Sequence, residues 1–170
     1  MPFARLALFC SALLAIAPAS ALARPWNGIT PGTSSQADVV KKFGEPSKKI
    51  KRGASTVLAY VDDEKLEGTK QAQFHLDAGG MVEEITIFLA EPLDSESVEG
   101  TFGKPSQKTI VEATFQKVWL YPSQGLTVYW SKDGAGAVAL SFTPSRSGKG
   151  GEAAQAGAAA EGGAKSARSP

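Results

Sequence analysis

The chain has 170 residues, a formal net charge of +1, one histidine and one cysteine. Residues 24–144 balance thirteen basic side chains against fifteen acidic ones, a field too weak to hold a polyanion, so nucleic acid is excluded as a partner. The lone cysteine, Cys10, lies in an N-terminal segment expected to be removed, which excludes disulfides, thiolate metal sites and a cysteine nucleophile from the mature chain.

One positive charge at Arg5, an apolar stretch from Leu6 to Ala17 and an Ala21-Leu22-Ala23 site read as a secretory signal peptide over residues 1–23. The stretch is shorter than the about 20 apolar residues a transmembrane helix needs. Phe9 directly before Cys10 does not suit lipoprotein processing, and a chain starting at Arg24 has no cysteine to carry a lipid. The chain is therefore expected to be exported, to be periplasmic or outer-membrane-associated, and not to be a lipoprotein.

Residues 24–92 and 93–144 carry one pattern twice. Asp38 to Lys49 aligns with Ser97 to Lys108 at a constant offset of 59 residues, and the shared core is F-G-[EK]-P-S-x-K. A short helix is predicted before each Phe-Gly. In the first unit Thr33 caps it, with Gln36 three residues on; in the second the cap is Asp94. Gly44 and Gly103 supply a left-handed turn that closes each helix, and Pro46 and Pro105 prevent continuation.

Strands follow each helix. Val57 to Val61 and Val118 to Tyr121 are apolar on both faces. Ala72, Phe74 and Leu76, then Ile85, Ile87 and Leu89, alternate with other side chains on either side of the Ala78-Gly79-Gly80 turn. Val128 and Trp130, the Lys132-Asp133-Gly134 turn, and Val138, Leu140 and Phe142 repeat that hairpin. The expectation is an α+β fold of two helix-β-β-β repeats forming an antiparallel sheet, with short helices packed on one face and the other face largely open. Residues 145–170, rich in Ala and Gly with no aromatic or branched aliphatic side chain, are expected to be a disordered tail.

Gly32-Thr33, Val39, Phe43-Gly44-x-Pro46, an aromatic strand ending at Tyr60, and Gln73-Phe74-His75-Leu76-x3-Gly80-x-Val82-x2-Ile85 resemble the small outer-membrane assembly domain called SmpA/OmlA or BamE. The tandem arrangement is also similar to the β-lactamase inhibitory proteins, which carry that unit twice. The resemblance implies a non-enzymatic envelope module that assists outer-membrane protein assembly or envelope integrity through an open sheet face. Its alternative implication is a secreted proteinaceous inhibitor of a hydrolase. The chain departs from both patterns: the assembly domains are typically lipoproteins with one unit, and the inhibitors are expected to hold disulfides.

No catalytic set, cofactor-binding motif or metal cluster is legible, and the chain is not expected to be an enzyme. His75 stands on the wet side of a strand with no partner at ligand spacing. Asp62-Asp63-Glu64-x2-Glu67 lacks the alternating oxygen ligands and the central glycine of a calcium hand. The expected partner is a protein of the cell envelope. The candidate contact residues are Tyr129, Phe88 and His75 on the wet face, with Trp119 and Tyr121 either joining them or lying in the core beneath the second helix. Lys48, Lys49, Lys51 and Arg52 form the densest basic patch, which reads either as a peripheral contact with anionic lipid or as charges guarding an edge strand.

Overall fold

The computed structural model describes residues 23–61 and 66–145. The expected signal peptide up to residue 22, residues 62–65 of the Asp62-Asp63-Glu64 segment and the tail from 146 onward lie outside the described residues.

Each unit begins with a helix of about two turns. α1 (Gln36–Phe43) is capped by Ser35, whose hydroxyl accepts from the Asp38 backbone N–H while the Asp38 carboxylate accepts from the Ser35 N–H. The helix thus starts two residues later than Thr33 suggests, because Asp38 closes a reciprocal capping box with Ser35. α2 (Ser95–Phe102) begins at Asp94 as the sequence predicts, the carboxylate accepting from Ser97 N–H at 2.7 Å. Both helices stop at glycine, Gly44 at φ 82°, ψ −162° and Gly103 at φ 81°, ψ −170°. The positive φ calls for glycine as expected, but ψ falls in the extended basin open essentially to glycine alone, not in the left-handed helical one.

Four strands, not three, follow each helix. The first unit has β1 (Lys48–Arg52), β2 (Ser55–Val61), β3 (Thr69–Leu76) and β4 (Val82–Leu93); the second has β5 (Gln107–Val111), β6 (Gln116–Tyr121), β7 (Leu126–Trp130) and β8 (Ala137–Phe142). The additional strand is the segment after Pro-Ser, which is exposed throughout in β1 and so leaves no apolar alternation in the sequence. All eight form one antiparallel sheet in the order β1-β2-β3-β4-β8-β7-β6-β5. Each unit is a meander, the units join where β4 pairs with β8, and β1 and β5 are the two edges.

Register assigns the faces. Tyr60, Ala72, Ile87, Leu140, Val128 and Trp119 are successive cross-strand partners over six strands, so they share one side of the sheet. That side carries the core, and both helices lie on it. Phe43 of α1 packs on Tyr60 and Phe74, with ring centroids 5.7 and 5.4 Å apart; Phe102 of α2 faces Tyr121 at 6.1 Å. The Tyr60 hydroxyl donates to the Gly44 carbonyl at 2.8 Å and the Tyr121 hydroxyl to that of Gly103 at 3.1 Å, so one bond ties helix end to sheet in both units. The segment before α1 completes the cover. Trp26 stacks on Phe43 at 5.7 Å, and Arg24 crosses to the second unit, donating to the Gln124 side chain at 2.9 Å with its guanidinium 4.9 Å from the Phe102 ring centroid.

Candidate functional site

The opposite face is built by the complementary register. Gln71, Phe88, Ala139, Tyr129, Val118 and Thr109 are successive partners across it. Ala59, Gln73, Thr86, Ser141, Thr127 and Leu120 form the next row. Neither α1 nor α2 lies on this face.

Three of the five expected contact residues are here. Phe88 is 37% exposed, and Tyr129 and His75 are half-buried. Trp119 and Tyr121 do not join them. They are 5% and 2% exposed and belong to the core, because on β6 the residues that share a face with Tyr129 are its partner Val118 and Leu120. The Tyr121 hydroxyl is engaged with Gly103. Trp119 packs on Trp130 at 4.5 Å, with Lys108 Nζ 3.8 Å from its ring centroid.

On the open face, at the end of the β4–β8 ladder, stands a group that sequence reasoning missed. Glu84 is the cross-strand partner of His75. Its Oε1 accepts from Ser141 Oγ at 2.6 Å and from Thr86 Oγ1 at 3.2 Å. Its charge acts on both neighbours. The Tyr129 phenol is pushed above its ordinary value, first by burial and then by Glu84. His75 is lowered, chiefly by burial and also by Arg52, against the opposing pull of Glu84 and Glu83. His75 Nε2 is enclosed with no hydrogen-bond partner among the described residues. His75 and Tyr129 each hold the penultimate position of the third strand of their unit, so the two repeats set a titratable ring on either side of one carboxylate.

Ser141 donates to the Glu84 carboxylate, not to His75. Among the described residues no group of three His, Cys, Asp or Glu side chains converges to hold a metal. Ala139 and Ser141 on β8 are 6% and 3% exposed, and Phe88 and Tyr129 pair with Ala139 from opposite sides. Two hollows of about 480 and 500 Å³ lie elsewhere, one beside Glu99, Lys108 and Trp119 and the other beside Asp38 and Lys41.

The basic patch is divided by register. Lys48, Lys49, Lys51 and Arg52 are all exposed on β1. Lys48 and Arg52 pair with Ala59 and Ser55 and flank the open face, whereas Lys49 and Lys51 pair with Leu58 and Thr56 and turn to the helix side.

No family profile matches the chain, and no curated protein matches it. Among solved structures it is similar to a DUF4309 family protein (YjgB) from Bacillus subtilis, with a TM-score of 0.53 and 17% identity over 71% of this chain and 86% of that one. It is also similar to an extracellular protein containing an SCP domain from Bacillus anthracis, with a TM-score of 0.47 and 13% identity over 65% of this chain and 43% of that one. The first likeness bears on the fold alone. The resemblance to the outer-membrane assembly domain thus rests on its motif residues.

Proposed function

We propose that this chain is a non-catalytic binding module exported to the cell envelope, which holds a protein partner on the open face of its sheet. The observation that carries the reading is the one-sided cover. α1, α2 and Trp26 all pack on one side of eight strands, and the other side keeps an exposed Phe88 and half-buried Tyr129 and His75 together with the half-buried Glu84. An antiparallel sheet needs only one buried face, and aromatic side chains on the free one are of the type enriched at interface hot spots.

The motif likeness to SmpA/OmlA supports a role in outer-membrane protein assembly or envelope integrity. The tandem likeness to the β-lactamase inhibitory proteins supports the alternative, inhibition of a hydrolase. For the β1 cations, charge on both sides of an edge strand favours protection against edge-to-edge pairing over contact with a flat anionic membrane, since Lys49 and Lys51 turn away from Lys48 and Arg52.

The test is in-cell crosslinking from a photoreactive residue at Phe88 or Tyr129, with Thr101 on the exposed side of α2 as control. Capture of a barrel-assembly subunit or a nascent outer-membrane barrel from both sheet positions, and not from Thr101, is expected. Capture of one soluble hydrolase, whose activity falls stoichiometrically when the purified chain is added, establishes the inhibitor reading instead. No capture at either sheet position overturns the open face as a partner surface.

A further inference from the structure

We propose that β5 is a docking edge for the β5 of a second copy of this chain, so that two copies join edge to edge into one continuous antiparallel sheet. This edge is separate from the open face, and the pairing needs no partner there.

An edge strand presents unpaired backbone N–H and C=O groups that another strand can complete unless side chains prevent it. The two edges differ in that protection. At the constant offset of 59 residues, Lys48, Lys49, Lys51 and Arg52 of β1 correspond to Gln107, Lys108, Ile110 and Val111 of β5, so β5 keeps one of the four cations. That one, Lys108, is already engaged, its Nζ lying 3.2 Å from Glu99 Oε1 and 3.8 Å from the Trp119 ring centroid. Ile110 stands where β1 has Lys51. It is 57% exposed, and with Phe115 of the same hairpin, at 83%, it is one of the two most exposed large apolar side chains among the described residues.

Charge complementarity selects a second copy as the occupant. A two-fold antiparallel pairing centred on Ile110 sets Ile110 against its own copy, Thr109 against Val111, and Lys108 against Glu112, the exposed residue that follows the strand. Lys108 and Ile110 pair with Trp119 and Lys117 of β6, so the isoleucine contact lies on the helix side and is flanked at both ends by opposite charges, a favourable cross-strand arrangement. The same operation on β1, centred on Ile50, sets Lys49 against Lys51 and Lys48 against Arg52, and like charges directly opposite repel. Pairing β1 with β5 through Ile50 and Ile110 sets Arg52 against Lys108. Assembly therefore closes at two copies, with a guarded β1 at each outer end. The open faces of the two copies then lie on one side of the joined sheet. A contact along five residues is smaller than the about 1,200 Å² at which stable interfaces begin, so the dimer is weak and depends on concentration.

The test is sedimentation velocity on residues 24–170, which hold no cysteine, at concentrations up to about 1 mM. A monomer–dimer equilibrium without larger species is expected. Ile110→Lys, at an exposed site, sets like charges against each other at the centre and should abolish the dimer. Glu112→Lys should weaken it about tenfold. Mixing Glu112→Lys with Lys108→Glu should restore it as a heterodimer, because each charge pair is then opposite again. Ile110→Cys gives a reading that leaves Lys108 in place. Its two copies hold their α-carbons about 4.5–5.5 Å apart, within disulfide reach, and mild oxidation should link them, whereas Ile50→Cys on β1 should stay unlinked. A chain that is monomeric throughout, a dimer untouched by Ile110→Lys and Glu112→Lys, or equal linking from Ile110→Cys and Ile50→Cys overturns the β5 dimer. None of these variants touches Phe88 or Tyr129, so capture from those positions stands or falls separately.

Discussion

In the first unit, aromatic rings seal the helix against the sheet: Phe43 lies 5.7 Å from Trp26, 5.7 Å from Tyr60 and 5.4 Å from Phe74. In the second, cations cover the corresponding side. Arg24 sits 4.9 Å from the Phe102 centroid, Lys108 3.8 Å from that of Trp119, and Lys117 5.7 Å from that of Trp130. α1 buries Val39 and Phe43, whereas α2 buries Val98 and leaves Phe102 part-exposed. The pair of units teaches that the repeat's shared content is small. A glycine ends the helix, a tyrosine ties that end to the second strand, and one valine anchors the helix face; the rest of the filling differs.

The largest effect should come from the ring at the end of each helix. Phe43→Ala removes the centre of the first unit's ring cluster and is expected to cost about 3–5 kcal/mol. Phe102→Ala, at a part-exposed site, should cost about 1–2 kcal/mol. Urea unfolding of both variants measures the difference, and equal costs would break the contrast between the two seals. Tyr60→Phe and Tyr121→Phe come next. Each removes one hydroxyl donor to a glycine carbonyl and should cost about 1 kcal/mol. Here the expectation is equality, since the bond is common to both units. A smaller effect belongs to the second unit alone. Lys108→Met removes a cation from the face of Trp119 and an exposed ion pair with Glu99, for a loss of about 0.5–1 kcal/mol. The loss should shrink as salt is added, and a salt-independent loss would mean that the lysine stem, not its charge, does the covering.

Much of this frame was legible because it is local. The glycine that closes each helix, the Asp94 cap, the paired Phe-Gly motifs and the alternating hairpins are all written within a few residues of one another. The Ser35 cap was less so, since Thr33 and Ser35 are both good caps and only the reciprocal bond from Asp38 decides between them. β1 was legible only as one of two readings of its charges, and was left out of the repeat, for a different reason. Its Lys-Lys-Ile-Lys-Arg run is held by backbone pairing to β2 and buries nothing, so no periodicity records it. The side on which Trp119 and Tyr121 fall was open in the sequence because Val118 to Tyr121 is apolar on both faces, and the register with β7 settles it. Glu84 reads as one more polar alternate of a wet face. What marks it is Ser141, 57 residues away in the other unit.

The finest contrast between the units is electrostatic, and it sets their matched rings at opposite ends of the pH scale. Burial lowers His75 below its ordinary 6.5 in the folded chain. Between that lowered value and 6.5 the unfolded chain binds more protons, so stability is present above 6.5 and is lost as the pH falls through the folded value. Burial and Glu84 raise Tyr129 above its ordinary 10.0. There the unfolded chain releases its proton first, so stability is present below 10.0 and is lost as the pH rises toward the folded value. Each group adds a slope of at most about one proton, and on the alkaline side Tyr129 shares the limb with Tyr121, which burial and Glu99 also raise. Thermal unfolding across the pH range should show His75→Gln flattening the limb just below pH 6.5 alone, and Tyr129→Phe making the alkaline limb shallower while the share of Tyr121 stays. If His75→Gln left the acid limb as steep as before, the ring would not be held neutral by its enclosure, and the pairing of His75 with Tyr129 around Glu84 would be one of position without a shared electrostatic consequence.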